Sequence, residues 1–529
     1  MTDQPRACEV HAPEGVPAGL LAAFWRYDAA LLANDRTTLD ALFMPGPHTL
    51  RGDGRALLVG HDAIAGFRSA RARIPTRAVV ALHVQVIAPD AALVLASTRD
   101  GAATGLQTQL WRLADGAGWL VSAAHVSLPS APPPPPAFDR TVWRVVGDPL
   151  LPATAPGPLD ALGVAVKDLF DVAGHPVGGG VPAWLAGQRP RTSSAPAVAA
   201  LLGAGAHVVG IARTDEFAYS LAGDNAHYGT PPNPAAPDGV SGGSTSGPAA
   251  AVALGQADVG LGTDTAGSIR VPASYQGLVG LRTTHGAVTA AGVLPLAPSF
   301  DTVGWLTRDV VTSAAVARVL LGPAGARTPA VRRTVRLPVV EALAGPEVRE
   351  SFGTTVRELT GTGALPPAET EDLPSELLEH WFTAFRTVQA WEAWQAHGAW
   401  ITAHPGTLGA AVGGRFAQAA EVTEAEAGDA RKVVAEAREE LWARLAGSVL
   451  VLPSASGPAP SRGATGARIE AERAATLRMT CLAGLAGAPA LSLPLLRLPD
   501  GRPAGVCLLG PPGADHTLLA LAAALEERR

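Results

Sequence analysis

The stretch "LGTDTAGSIRVPA", residues 261–273, decides how the rest of the chain is interpreted. Its residues Thr265, Ala266, Gly267 and Ser268 have small side chains that contribute little to a core. Small side chains allow a bound molecule to approach the backbone N–H groups, which is what an oxyanion hole requires. Taken alone, the stretch is also typical of a plain turn, so the other motifs have to decide between the two interpretations.

A second motif, "VSGGSTSGPAAAVALG" at residues 240–255, precedes it in the chain. Two glycines permit unusual backbone angles, and Ser244, Thr245 and Ser246 then place three hydroxyl groups in a row. Pro248 suits the first turn of the helix that "AAAVAL" favours. The pattern predicts a Gly/Ser loop that leads into a helix N-terminus, where backbone N–H groups are free. Simple capping of that helix by Ser246 is the alternative interpretation.

The third motif, "GVAVKDLFDVAG" at residues 163–174, places Lys167 at the end of a predicted strand. A buried lysine is costly unless it is paired or neutral, and an ion pair with Asp168 or Asp171 is the simplest explanation. A serine nucleophile, however, needs a base. The chain's other lysine, Lys432, lies in a polar helical segment, so Lys167 is the only plausible lysine base.

A histidine base is harder to place in this sequence. His227 and His285 are the candidates, but neither has an obvious acid partner in a catalytic pattern. The G-x-S-x-G motif of many serine hydrolases is absent around Ser268, because other residues occupy its two glycine positions. A hydroxyl relay between Lys167 and Ser268 would instead explain why the second motif is rich in serine.

Several long stretches resemble the amidase signature family: "VKDLFDVAG", "GGSTSGPAAAVA", "LGTDTAGSIRVPAS", "SFDTVGWLTRD" and "CLAGLAGAPALSLPL". The match runs from about residue 145 to the C-terminus. The stretch "EFAYSLAGDNAHYGTPPNP" is most similar to the branch that contains plant indole-acetamide hydrolases. The resemblance implies an α/β fold with a mixed β-sheet covered by helices, which the alternating apolar and helical segments of this part also favour.

The amidase signature family hydrolyses amides through a Ser–cis-Ser–Lys triad. The resemblance implies that Ser268 is the nucleophile, that Ser244 is the bridging serine at a cis peptide bond, and that Lys167 is the base. The two serines are 24 residues apart, which matches the usual spacing in the family. The amides of Thr265 to Ser268 would supply the oxyanion hole.

The sequence departs from the commoner family pattern at a few positions. Thr245 and Ser246 stand where the family often has serine and glycine, and Ala266 replaces a common glycine. Pro248 stands where a small polar residue is frequent, which removes one possible N–H donor. None of these changes removes a member of the implied triad.

The clearest boundary in the chain is "SAPPPPPAF", residues 130–138, whose five consecutive prolines favour an extended spacer. We therefore predict a first domain at residues 1–130, a linker at 131–137 and a second domain at 138–529. Helical patterns followed by β-rich segments predict an α+β cone for the first domain. Its stretches "YDAALLANDRTTLDALF", "TLRGDGRALLVGHDAIAGFR" and "GWLVSAAHVS" resemble the AtzH-like branch of the SnoaL-like domains.

The resemblance implies a pocket in the cone but leaves its role open between catalysis, binding and dimerisation. Arg51, His61, Arg68 and Arg71 are candidates for an anion site, although surface and capping roles explain them better. Because related domains pair through their sheets, we expect a homodimer that is held largely by residues 15–128.

The composition excludes several other classes of protein. The formal charge of −6 argues against broad nucleic-acid binding. The three cysteines have no metal-ligand spacing, so neither a metal site nor a disulfide framework is expected. The sequence also shows no secretory signal and no run of ~18 apolar residues that could span a membrane. We therefore expect a cytoplasmic enzyme without a cofactor or a membrane partner.

The predicted function is hydrolysis of a small amide or urea-type substrate through an acyl-enzyme, with release of ammonia or an amine. Two alternatives stay open: the A subunit of a glutamine-dependent amidotransferase, which shares the signature, and a non-catalytic binding module. The sequence does not specify the substrate. Aromatic residues in the region 340–440 fit an apolar pocket and a helix core equally well, namely Trp381, Phe382, Phe385, Trp391 and Trp394.

Overall fold

The computed structural model describes residues 8–53, 56–69, 77–100, 103–127, 138–325, 329–464 and 467–527. The chain forms two compact units, Met1–Ala137 and Phe138–Arg529. The predicted linker, residues 131–137, lies outside the described residues. No helix in the described ranges is long and apolar enough to cross a membrane.

The first unit is an α+β domain in which three described helices accompany one mixed sheet. Helix α1 buries Leu20, Phe24 and Tyr27, whose spacing places them on one face of the helix. Asp35 caps the next helix, because its carboxylate accepts a hydrogen bond from the Thr38 amide at 3.1 Å. The described helices are α1 (Leu20–Ala33), α2 (Arg36–Ala41) and α3 (His61–Ser69).

The sheet of the first unit has the strand order β1-β4-β5-β6-β7-β2-β3. Its long strands β4 to β7 form an antiparallel meander, which is the β-rich run that the sequence predicts. Trp111 and Val121 from this sheet pack with the helices in one hydrophobic core. The strands are β1 (Glu9–His11), β2 (Leu50–Asp53), β3 (Leu57–Val59), β4 (Ala78–Ala88), β5 (Ala91–Asp100), β6 (Ala103–Ala114) and β7 (Gly118–Val126).

The second unit is an α/β domain built on a mixed sheet of eleven described strands, in the order β15-β14-β16-β18-β17-β12-β13-β11-β9-β10-β8. The predicted mixed sheet is therefore confirmed. The strands are β8 (Trp143–Leu151), β9 (Gly163–Lys167), β10 (His207–Ala212), β11 (Val259–Asp264), β12 (Val279–Arg282), β13 (Thr302–Thr307), β14 (Arg333–Arg336), β15 (Ala368–Thr370), β16 (Ser448–Pro453), β17 (Ala490–Arg497) and β18 (Pro503–Leu509).

Helices accompany this sheet, and the longest of those described are α11 and α13. The described helices are α4 (Pro182–Ala186), α5 (Pro196–Gly203), α6 (Ser246–Ala253), α7 (Arg270–Gln276), α8 (Val310–Leu320), α9 (Pro338–Glu341), α10 (Pro346–Gly361), α11 (Ser375–Ala403), α12 (Ala410–Ala420), α13 (Glu424–Leu445), α14 (Ala467–Ala486) and α15 (Asp515–Glu527).

Strands β9 and β11 are parallel neighbours within this sheet, and every residue of both strands is buried. Parallel strands place their carboxyl ends at the same edge of a sheet, where polar side chains of consecutive loops can meet. Lys167 ends β9 and Asp264 ends β11. The fold thus brings the first and third motifs of the sequence to one edge.

Candidate active site

Lys167 lies at the centre of a group of hydroxyl side chains. Its side chain is fully buried, and Nζ donates hydrogen bonds to Ser244 Oγ at 2.9 Å and to Thr245 Oγ1 at 3.0 Å. A third bond, of 2.8 Å, reaches Thr263 Oγ1 on β11. The lysine therefore has three hydrogen-bond acceptors, none of which carries a charge.

The expected ion pair of Lys167 with Asp168 or Asp171 is not formed, so that interpretation is wrong. Asp168 pairs with Arg144 at 2.9 Å, and Asp171 pairs with Arg191 at 2.8 Å. Within the described part of the chain, Lys167 forms no salt bridge with any carboxylate. A purely structural lysine in a core would be expected to have such a partner.

Burial sets the protonation state of this lysine. Removal from water lowers the pKa of Lys167 from its ordinary 10.5 to about 7, although nearby Asp215, Asp264 and Asp301 act in the opposite direction. A large fraction of Lys167 is therefore neutral near pH 7. A neutral amine has two N–H bonds and a free electron pair, so it donates to two of the three hydroxyl groups and accepts a proton from the third.

The Gly/Ser loop lies directly on strand β11. The Gly243–Ser244 peptide bond is cis, as the resemblance implies. A Cβ atom at Gly262 would come within 2.3 Å of the Thr245 side chain, so only glycine at that position lets the loop approach the strand. This close approach is what brings Ser244 and Thr245 to Lys167.

Ser246 does not cap helix α6, which corrects the alternative interpretation of the second motif. The helix begins at Ser246 itself, and its N-cap residue, Thr245, makes no side-chain capping bond. Ser246 Oγ instead donates a hydrogen bond of 3.1 Å to Asp215 Oδ1. The hydroxyl groups of the loop are therefore used for contacts outside the helix.

The loop between β11 and α7 is organised around the buried carboxylate of Asp264. It accepts hydrogen bonds from the amides of Gly267 at 2.8 Å and Ile269 at 3.1 Å. Arg270 Nη2 donates to it at 2.8 Å, and Arg282 Nη1 lies 3.2 Å away. Burial alone would raise the pKa of Asp264, but the two arginines and the loop amides together hold it well below its usual range.

This arrangement modifies the predicted oxyanion hole. Gly267 has a φ of +118°, which favours glycine, and its N–H group is already used by Asp264. Gly267 is therefore not a free donor in this structure. The amides of Thr265, Ala266 and Ser268 remain as candidates, and all three residues line a cleft of about 700 Å³.

Ser268 lies in this cleft and next to the Gly/Ser loop. Its backbone carbonyl accepts a hydrogen bond of 3.2 Å from the Thr245 amide, which ties the two loops together. Among the described residues, no hydrogen bond joins the hydroxyl groups of Ser244 and Ser268. The structure therefore links Lys167 to Ser244 directly, and it links Ser268 to the same loop through the backbone.

The candidate histidines have other roles in the fold. His227 does have an acid partner, since its Nε2 lies 2.9 Å from Glu216 Oε1. His285 Nε2 lies 2.9 Å from the carbonyl oxygen of Pro298. Neither ring forms a hydrogen bond with Ser268 in the described ranges, so a histidine-based triad gains no support.

The aromatic residues of α11 divide between the cleft and the core. Trp381, Phe382 and Phe385 are all buried in the hydrophobic core of the second unit, and of the three only Phe382 also lines the cleft. Phe385 packs against Phe300, with 4.5 Å between the ring centroids. Trp394 packs against the same core. An aromatic pocket made by the whole group is therefore not formed.

The anion site that the sequence suggested in the first unit gains no support. Arg68 is buried and donates to Asp40 Oδ1 at 2.7 Å, and His61 Nε2 lies 3.0 Å from the Asp40 carbonyl oxygen. The guanidinium of Arg51 stacks over Phe67. These contacts are structural, and Arg71 lies outside the described residues. The described ranges also contain no cluster of side chains that could hold a metal ion.

Comparison with known proteins agrees with this fold. Residues 150–519 match the amidase family, and residues 9–131 match the AtzH-like family. Amidase 1 of Arabidopsis thaliana is 36% identical over 419 residues, which cover 73% of this chain and 97% of the relative. The 2-amino-5-chloromuconic acid deaminase of Comamonas testosteroni is 35% identical over 70% of this chain and 82% of its own length.

A solved structure shares the fold as well. The crystal structure of an amidase superposes with a TM-score of 0.65 and 30% sequence identity, and the match covers 74% of this chain and 92% of that one. The fold and the site thus define an enzyme that hydrolyses amides. The chain belongs to the amidase family and carries an AtzH-like domain at its N-terminal end.

Proposed function

We propose that the site hydrolyses a small amide or urea-type substrate through an acyl-enzyme formed on Ser268. The observation that carries this proposal is the contact between the fully buried Lys167 and Ser244 Oγ. Neutral Lys167 accepts the proton of Ser244 while Ser244 accepts the proton of Ser268. The Ser268 oxygen then forms a bond to the carbonyl carbon of the amide.

The tetrahedral intermediate breaks down by loss of the nitrogen. The amides of Thr265, Ala266 and Ser268 are the proposed donors to its oxyanion. The proton held by Lys167 returns through Ser244 to the leaving nitrogen, the C–N bond breaks, and ammonia or an amine departs. A water molecule then attacks the ester, with the same groups moving its proton, and the acid product leaves Ser268 free.

A fluorophosphonate probe tests the nucleophile directly. The proposal expects covalent labelling of Ser268, identified by mass spectrometry of the labelled peptide, and loss of labelling in Ser268→Ala. The chain has only two lysines, which provide a matched pair of variants. Lys167→Met should abolish labelling and turnover, whereas exposed Lys432→Met should retain both. Labelling at a different residue would overturn the assignment.

The amidotransferase alternative makes a different prediction about partners. An A-type subunit needs another subunit to accept its ammonia, whereas a stand-alone hydrolase releases ammonia or amine without one. Turnover of a small amide by the purified chain alone supports the hydrolase. Turnover that appears only with added partner subunits would support the amidotransferase instead.

We also infer that the chain forms a homodimer through the sheet of the first unit. Strands β4 and β6 expose apolar side chains that a monomer would leave in water: Val80, Ile87, Leu106 and Leu113. Light scattering of the full chain tests the inference. A monomeric mass at micromolar concentration would contradict it.

A further inference from the structure

The cleft that contains Ser268 is lined by three arginines. Its walls come from the β11–α7 loop and from helices α11, α12 and α14. Each of these three helices contributes one arginine, namely Arg386, Arg415 and Arg473. Positive charge from three separate elements therefore converges on the space in which the proposed nucleophile lies.

The acidic residues of the cleft do not balance this charge. Glu379 lines the cleft but is already paired with Arg478, which donates two hydrogen bonds of 2.6 and 2.9 Å to its carboxylate. Glu470 is largely exposed and lies 3.5 Å from Arg473. Neither Arg386 nor Arg415 forms a salt bridge within the described part of the chain. A net positive charge remains in the cleft.

The guanidinium groups also retain unused hydrogen-bond donors. Among the described residues, Arg415 donates one side-chain hydrogen bond, of 2.7 Å, from Nη1 to the Tyr219 carbonyl oxygen. Arg473 Nε is buried and has no hydrogen-bond partner among the described residues. Burial and the neighbouring Arg415 lower the pKa of Arg473 to about 10, so the group remains charged at neutral pH. Buried donors without partners are costly, and an anion in the cleft would satisfy them.

A second cavity next to the site lacks the positive charge of the cleft. It has a volume of about 320 Å³ and shares Ala218, Thr265 and Leu296 with the cleft. Its remaining lining is mostly apolar and includes no arginine or lysine. The arginines therefore line the Ser268 cleft and not this adjoining cavity.

We propose that the substrate is an amide or urea that carries a carboxylate, which Arg386, Arg415 and Arg473 bind in the Ser268 cleft. This inference rests on the proposed function, because it names the class of substrate that the same site hydrolyses. A planar guanidinium matches a carboxylate through two parallel hydrogen bonds, and its charge persists at all physiological pH values. The three arginines hold the acid end while Ser268 attacks the amide carbon.

Matched substrates test the proposal. Succinamate and glutaramate carry an amide and a carboxylate, and their methyl esters lack the charge and are longer by one methyl group. We expect kcat/KM for the acids to exceed that for the esters by on the order of 10- to 100-fold. Equal or better turnover of the neutral esters would overturn the carboxylate assignment while leaving the amide hydrolase intact.

Variants of the arginines separate recognition from catalysis. Arg415→Gln and Arg473→Gln should raise KM for the acids about tenfold or more and reduce the preference for the acids over the esters to near unity. Arg357→Gln, on the exposed surface of α10, is the control and should change neither KM nor kcat/KM for either substrate. If a variant fails to fold, protection of wild-type Ser268 from the fluorophosphonate by glutarate serves instead, with 1,5-pentanediol as the uncharged control. Absence of that protection would contradict the proposal.

These experiments separate a failure of the carboxylate proposal from a failure of the proposed amide hydrolysis. If Ser268 is labelled and neutral amides are hydrolysed without any preference for acids, only the carboxylate proposal fails. If no amide is hydrolysed and no probe labels Ser268, the proposed function itself fails.

Discussion

Arg270 Nη2 donates a hydrogen bond of 2.8 Å to Asp264 Oδ1, and these two buried side chains flank the loop that carries Ser268. The same carboxylate accepts the Gly267 amide. The conformation of the loop therefore depends on a charge pair that the proposed reaction itself does not use. This pair holds the loop, and so Ser268, in place.

Asp264→Asn should weaken both stability and catalysis. It leaves Arg270 and Arg282 buried without a charged partner, and breaking a buried pair typically costs about 3–5 kcal/mol. Urea unfolding should show this loss, and kcat should fall because the loop no longer holds Ser268. Asp429→Asn removes an exposed carboxylate paired with Lys432 and should change neither quantity. An Asp264→Asn protein with unchanged unfolding and kcat would contradict this role.

Removal of either proposed catalytic hydroxyl should stop the reaction with little effect on the fold. Ser268→Ala and Ser244→Ala are each expected to lower kcat at least ~10³-fold, because members of such a triad act as a unit. Ser351→Ala, in helix α10, controls for the general effect of losing a hydroxyl. Near-normal turnover by either catalytic variant, measured on folded protein, would contradict the proposed relay.

The pH dependence of activity should follow the protonation of Lys167. Only the neutral amine accepts a proton, and burial lowers its pKa to about 7. The value of kcat/KM should therefore rise as the pH increases through about 7 and reach a plateau above it. A profile of kcat/KM between pH 5 and 9 tests this, and a flat profile would exclude Lys167 as the base.

Stability should depend on pH through the same group. The folded pKa of about 7 lies below the ordinary 10.5, so between these values the unfolded chain binds a proton that the folded chain does not. The contribution of Lys167 to stability therefore rises with pH across this window and is smallest below pH 7. Lys167→Met should flatten this dependence in urea unfolding at pH 7 and pH 9, whereas Lys432→Met should retain it.

A chain truncated to Phe138–Arg529 should fold and remain active. The second unit has its own large hydrophobic core and contains all the proposed catalytic residues. We expect cooperative melting, near-normal kcat on a small amide, and a change from dimer to monomer in light scattering. An insoluble truncated chain would show that the first unit is needed for folding. A dimeric truncated chain would place the dimer contact in the second unit.

Much of the local structure could be predicted from sequence patterns. The strand before Lys167, the helix that follows the Gly/Ser loop, and the β-rich run of the first domain are all present. These elements have strong apolar periodicity or uniform burial, which local sequence records directly. The cleft arginines on α11, α12 and α14 carry no such signal, because their common feature is proximity in space.

The sequence by itself determined the family, the order of the motifs and the identity of Lys167, Ser244 and Ser268 as candidates. Only the tertiary structure decided what each polar group contacts. In the structure, Asp168 and Asp171 pair with arginines, and Lys167 contacts neutral hydroxyl groups. The Gly267 amide donates its hydrogen bond to Asp264. The physical reason is that local patterns report burial and backbone shape, whereas charge pairing and pKa depend on groups from strands and helices far apart in the chain.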